Sequence, residues 1–368
     1  MNKLVVGNLL HRPLRTFISV FAIAIEVVMI LCIVAIMVGQ VNGARNSTAG
    51  IGADIVVQPA NSSFLTGISG APVPAKIAQV LGKLAHVAVA SPTIINLTTG
   101  STVETIWGID YQSFNALRPF TFVEGTPFQG PNDVIVDDYY AKSDKGHRVG
   151  DLIPVINGHE FRICGIVEHG KGGRKFLPIR TLGALMGNPD NATLFYLKSD
   201  NPENQELIRK EILSTPGLGD YQVRTVAEQL NMLTPEHLPA FTIALNVVIS
   251  IAVIIGFLVI FQSMYTAVME RTREIGVLKS LGASKGYIVN VVLRETALIS
   301  ICGIALGMLM TGLIKTWMSY RFPTLPFIVT ADWWFRGTLI AFVGGILGAI
   351  YPALKAASKD PIDALAYE

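Results

Sequence analysis

Glu26 is the one charged residue in the apolar run Phe17 to Val38. A carboxyl group there is costly unless it is protonated, paired or in contact with water. It is therefore a candidate contact for a membrane-embedded cargo; a neutral glutamate bonded to a neighbouring helix is the alternative. Charge gathers again in Glu270-Arg-Thr-Arg-Glu-Ile-Gly-Val-Leu-Lys-Ser-Leu-Gly-Ala-Ser284, between the uncharged runs Ala240 to Met269 and Thr296 to Ile314. Paired charges on a helix-forming segment suit recognition of a soluble partner rather than bond-making. Gly170-Lys-Gly-Gly-Arg-Lys175 offers N–H groups and positive charge to an anion, yet it lacks the Gly-Lys-Ser/Thr ending of a P-loop and reads as a solvated connection. His147, His159 and His169 lack ligand spacing, so no metal is assigned. No nucleophile elbow, zinc-protease helix or acid–base pair occurs, so the chain is not read as an enzyme and no cofactor is assigned to it. A net charge of +2 without a basic stripe argues against nucleic acid.

The elements that must position these residues are mostly membrane spans. Hydrophobic residues make up 51% of the 368 and charged residues 15%, with a mean hydropathy of +0.47. Four apolar runs are long enough to cross a bilayer, which takes about 20 residues. The sequence divides into an interfacial amphipathic helix (1–15), a first span (16–43), an outer domain (44–239) and a second span (240–269). A charged helical segment (270–285), a third span (286–314), a short outer loop (315–336), a fourth span (337–354) and a tail (355–368) complete it. Lys3, Arg12 and Arg15 precede the first span, Arg271, Arg273, Lys279 and Lys285 separate the second and third, and Lys355 and Lys359 follow the fourth. Positive residues at span ends mark the cytoplasmic side, which places both termini and the charged segment inside and the large domain outside. Residues 44–239 hold sixteen Lys and Arg against nineteen Asp and Glu, in keeping with that orientation.

The outer domain reads as α+β. Ile55 to Val57, Thr93 to Ile95 and Val103 to Ile109 are strand-like. Asp151 to Ile156 and His159 to Glu168 flank Asn157-Gly158, suited to a type I′ hairpin. Helical patterns cover Lys76 to Ala85, Ile179 to Met186 and Asn204 to Ser214. Gly303-Ile-Ala-Leu-Gly307 and Gly344-Gly-Ile-Leu-Gly348 carry small residues that permit close helix approach, within one chain or between two.

The segment Glu270 to Ser284 and the ending Tyr351-Pro-Ala-Leu-Lys-Ala-Ala-Ser-Lys-Asp-Pro-Ile-Asp-Ala-Leu-Ala-Tyr-Glu368 resemble the FtsX-like permease superfamily. So do Asn8-Leu-Leu-His-Arg-Pro-Leu-Arg-Thr16 and Gly52-Ala-Asp-Ile-Val-Val57, with the macrolide-exporter (MacB) branch most similar and lipoprotein-release permeases as relatives. The resemblance implies an α-helical membrane protein with four transmembrane helices and an α+β extracytoplasmic domain between helices 1 and 2. It further implies an ABC transporter permease in the inner membrane, paired with a second copy and driven by an ABC ATPase subunit dimer that binds ATP and magnesium. With no P-loop here, the motor is expected on another chain. The loop after the second span corresponds to the family's coupling helix: Glu270, Arg271, Arg273, Glu274, Ile275, Gly276, Leu278, Lys279, Leu281 and Gly282. Ile275, Leu278 and Leu281 would give the apolar docking face, and Glu270, Arg271, Arg273 and Glu274 would fix its register. The cargo implied is a hydrophobic or amphiphilic compound taken from membrane or periplasm, with haem or a lipoprotein as alternatives. A periplasmic adaptor or an extracytoplasmic enzyme would meet the outer domain, and a non-transporting signal transmitter is the alternative function. Relatives favour small or apolar residues where this chain has Glu26. In a dimer, two copies of Glu26 near Met29 and Met37 would engage an amphiphile, in contact with membrane lipids.

Overall fold

The structure is a computed structural model that describes residues 13–60, 62, 72–99, 103–143, 146–156, 158–234, 239–322 and 325–359. The expected interfacial helix before Pro13, Asn157 of the hairpin turn and the tail beyond Lys359 lie outside them. The chain forms two compact units, one of residues 1–40, 239–321 and 325–368 and the other of residues 41–238 and 322–324.

The membrane unit holds helices α1 (Pro13–Gly50, whose last turns count with the other unit), α2 (Pro239–Glu270), α3 (Thr272–Ser280), α4 (Lys285–Arg321) and α5 (Ala331–Ser358). All but α3 are long and apolar enough to cross a membrane. These helices overrun the apolar runs: α4 spans 37 residues, about 55 Å at 1.5 Å per residue. Hydropathy marks only where hydrocarbon ends, whereas the backbone ladder continues until something breaks it.

Glycines set the helix spacing. A Cβ at Gly303 would lie 2.7 Å from Ile23 Cβ, and one at Gly307 would lie 2.8 Å from the Ala24 carbonyl, so α4 touches α1 at backbone distance. Gly345 faces Ser300 of α4, and a Cβ at Gly348 would meet the Phe257 carbonyl of α2 at 2.8 Å. The small-residue spacings thus close within one chain. Ile23, Val27, Ile260, Met264, Ile299 and Ala349 centre the core between them.

The outer unit is a mixed α+β domain. Its strands are β1 (Ile55–Gln58), β2 (Val73–Pro74), β3 (Val87–Thr99), β4 (Val103–Ile109), β5 (Phe122–Gly125), β6 (Asp133–Asp137), β7 (Leu152–Ile156), β8 (His159–Val167), β9 (Lys175–Pro178), β10 (Asn191–Ala192), β11 (Leu194–Ser199) and β12 (Gln222–Thr225). They build a ten-stranded sheet ordered β12-β1-β11-β3-β4-β9-β6-β8-β5, with β7 paired to β8, while β10 pairs β2. The expected hairpin is present, with Ile156 opposite His159 and Gly158 at φ 78°.

Three expectations change. The strand expected at Thr93 to Ile95 runs from Val87 to Thr99 through Ser91-Pro92; Pro92 lies where β3 pairs only with β11, so the other edge needs no donor. The first helix stops at Leu81, where Gly82 ends it. Short helices also occur at Tyr111–Leu117, Asp138–Ala141 and Val226–Met232. Asp110, Asp137 and Thr225 accept N–H bonds at their starts, and Thr225 forms a capping box with Glu228.

Candidate functional site

The charged segment folds as an elbow. α2 stops at Glu270, and Arg271 (φ −108°, ψ 20°) leaves the helical region before α3 begins. At its far end the Ala283 N–H reaches the Leu278 carbonyl and the Gly282 N–H the Lys279 carbonyl, both at 3.0 Å, with Gly282 at φ 94°. That is a Schellman closure, and it needs the left-handed residue glycine supplies. Ser284 Oγ then accepts from the Tyr287 N–H at 3.2 Å to start α4.

The helical period divides α3 into two faces. Thr272 and Gly276 are buried, and Ile275 and Leu278 pack against the core of the membrane unit. Arg273 and Glu274 are exposed, as are Val277 at 43% and Leu281 at 80%. Of the three apolar residues expected to dock a partner, Leu281 is exposed while Ile275 and Leu278 are half-buried against the bundle, and Val277 is exposed as well. The larger apolar face of so short a helix is spent on its own bundle.

Arg271 also turns inward. It is buried, with Nη1 3.2 Å from Glu295 Oε2. Arg15 on α1 extends the cluster, lying 3.4 Å from Glu295 Oε1 and 3.5 Å from Glu270 Oε2. Arg271 and Glu295 therefore tie α2 to α4, and Arg15 links α1 to both, while Glu270 stays exposed beside them. Lys279 donates to the Ala357 carbonyl at 3.0 Å and to that of Lys359, satisfying the end of α5.

The intramembrane candidates lie apart from the elbow. Glu26 is 4% exposed, and its Oε1 has no hydrogen-bond partner among the described residues. Gly256 of α2 makes the room: a Cβ there would fall 1.9 Å from Glu26 Oε2, and one at Gly344 of α5 would come 3.9 Å from Oε1. Met29 is half-buried against Ile30, Val34 and Leu245. Within the single chain Glu26 is thus packed among α1, α2 and α5, and Met29 is half-buried beside it.

The glycine-rich loop is not solvated as expected. Gly172 and Gly173 press on the Trp107 ring, too close for any Cβ. Lys171 is buried, with Nζ 3.8 Å from the centre of the Phe120 ring and donating to the Arg118 carbonyl. Lys175 is buried with Nζ 4.2 Å over Tyr140. Burial, with some help from Arg118, pulls the Lys171 ammonium down to about 7. The same loop holds the end of α1, because the Gly172 N–H bonds the Ser47 carbonyl at 2.9 Å and Gly50 abuts the Gly170 carbonyl. Next to it, burial raises the Asp137 carboxyl to about 6. His169 stacks on Tyr139 and lies 2.9 Å from Asp138.

Four helices long and apolar enough to cross a membrane, an elbow helix braced against them and an α+β domain inserted after the first define a multi-span membrane protein. The MacB-like periplasmic core domain family matches residues 16–215, more than half of the chain, and the chain belongs to that family. The FtsX-like permease C-terminal family matches residues 246–361. A macrolide export ATP-binding/permease protein MacB from Shewanella sp. (strain W3-18-1) is 26% identical over 97% of this chain and 59% of its own length. The chain thus spans about three fifths of that relative. An uncharacterized ABC transporter permease, YvrN of Bacillus subtilis (strain 168), is 22% identical over 98% of each chain. The periplasmic region of MacB from Actinobacillus actinomycetemcomitans aligns with half of this chain and 94% of its own, at 16% identity and a TM-score of 0.39.

Proposed function

We propose that this chain is the transmembrane part of an ABC exporter, worked by ABC ATPase units that bind ATP and magnesium. The observation that supports it most directly is the two-sidedness of α3. One face is anchored to the bundle through Ile275, Leu278 and Lys279, while Arg273, Glu274, Val277 and Leu281 are left outward. A push on the outer face would pass to α2, α4 and α5 together, because their ends meet at the elbow. In this reading the elbow and both termini lie on the cytoplasmic side, in agreement with the positive residues at the span ends. Two copies pair across the ATPase dimer, and the outer domain changes shape to act on an adaptor or an extracytoplasmic enzyme. The relatives named as macrolide exporters make an amphiphilic compound the first cargo class to test.

The test replaces Glu274 with Ala and Leu281 with Asp in the full chain. Each variant should lose ATPase in pull-down and lose cargo-stimulated ATP hydrolysis while still assembling in the membrane. Unchanged association and hydrolysis in both would sink this reading.

A further inference from the structure

Lys355 has partners unlike those of the other cations at its end of the bundle. Arg15 and Arg271 reach carboxylates, and Lys279 reaches backbone carbonyls. Lys355, the residue after the apolar run of α5, instead donates to Tyr265 Oη of α2 at 3.0 Å. Its ammonium lies 4.8 Å from the centre of the Tyr265 ring and 5.9 Å from that of Tyr351. Among the described residues no carboxylate forms an ion pair with it.

The two tyrosines continue into an aromatic strip. Tyr351 lies 5.7 Å from Phe261, and Phe257, Phe261 and Tyr265 stack in succession along α2 at 6.2 and 6.0 Å between ring centres. Tyr351 is 53% exposed, and Leu354 and Leu258 beside the strip are exposed too. The strip begins within the apolar run and ends at its edge. An ammonium and two phenol hydroxyls therefore sit where hydrocarbon gives way to headgroups, above a ring surface wide enough for an acyl chain.

That combination calls for an anion with an apolar tail. Among the described residues the ammonium meets no carboxylate, phenols can donate to phosphate oxygens, and Lys359 a turn onward adds positive charge close to Tyr265. A zwitterionic headgroup would bring its own cation to the same place. We propose that Lys355, Tyr265 and Tyr351 form a headgroup site for an anionic glycerophospholipid. The phosphate rests on Lys355 Nζ and the phenol hydroxyls, and one acyl chain lies along Phe261 and Phe257. The site requires no ATPase and holds whether or not the exporter reading does.

The full chain is reconstituted in phosphatidylcholine vesicles with trace spin-labelled phosphatidylglycerol or phosphatidylcholine, and the motionally restricted fraction is read by electron paramagnetic resonance. Wild-type protein should hold phosphatidylglycerol in preference to phosphatidylcholine. Lys355→Gln should weaken that preference about fivefold, and the Tyr265→Phe/Tyr351→Leu pair should weaken it comparably, whereas Lys355→Arg keeps most of it. No preference in the wild type overturns the site without any variant having to fold. A preference surviving Lys355→Gln, or surviving loss of both phenols, overturns it as mere surface attraction. Oxidative cross-linking of Tyr351→Cys between copies in native membranes would show a second chain on the strip and overturn it as well.

Discussion

Burial, more than residue type, decides what the charged side chains here do. Lys171 could be read from sequence only as one base in a glycine-rich stretch, because nothing local says that Phe120 and Trp107 close over it. Its folded pKa of about 7 lies below the unfolded lysine value of about 10.4. The unfolded chain therefore binds more protons through the window between them, and stability rises with pH there. Below about pH 7 both states are protonated and the cost of burying the cation is fully present. The melting temperature of the wild type should thus climb relative to Lys171→Met by about 4 °C or more between pH 6.5 and 9.5. Differential scanning fluorimetry of the full chain in detergent measures this, and a difference flat with pH refutes it. Glu26 was visible in sequence as an anomaly, yet its direction was not, since sequence does not choose which of the three other spans faces it. The Gly256 contact fixes a second prediction: Gly256→Ala should cost about 2 kcal/mol through overpacking, and Glu26→Ala should relieve most of that loss. A double-mutant cycle by thermal denaturation reads the coupling, and independent effects would show that the carboxylate does not occupy that space.

At the scale of elements, the spans were legible because each satisfies its own backbone and must be apolar over about 20 residues, a purely local requirement. The elbow's limits were legible too, since Gly282 and Ser284 are a stop and a start in ordinary capping terms. What was not legible is which side of α3 faces in. Ile275, Val277, Leu278 and Leu281 are spread around so short a helix that periodicity alone does not choose, and the choice is made by contacts with helices far away in sequence. The sheet order was hidden for the same reason: β4 lies parallel to β9 across some 70 intervening residues. The assignment of faces yields a contrast. Ile275→Asp should destabilise the chain by about 3 kcal/mol, because it buries an unpaired charge against the core. Leu281→Asp should change stability by no more than about 0.5 kcal/mol. Equal losses in a thermal or urea assay would mean that the faces are reversed or that α3 is covered on both.

For the whole molecule, the separation into two compact units with distinct cores has an energetic consequence. Clusters around Trp107 and Phe195 belong to the outer unit, whereas Ile23, Ile260 and Ile304 belong to the membrane unit. Domains that own their cores lose stability separately, and substitutions without shared partners add. Trp107 lies in the outer unit, and the other three tryptophans (Trp317, Trp333 and Trp334) lie in the membrane unit, so replacing those three with Phe leaves Trp107 fluorescence as a reporter of the outer core alone. In that background Phe195→Ala removes a fully buried ring and should cost about 3–5 kcal/mol in the fluorescence transition. It should leave the loss of helical circular dichroism from the spans nearly in place. Gly303→Leu, which drives a side chain into Ile23, should do the converse at about 1–3 kcal/mol. The combined variant should show the sum of the two. If either substitution moves both transitions together, the chain unfolds as one cooperative block and the two cores are not energetically separate.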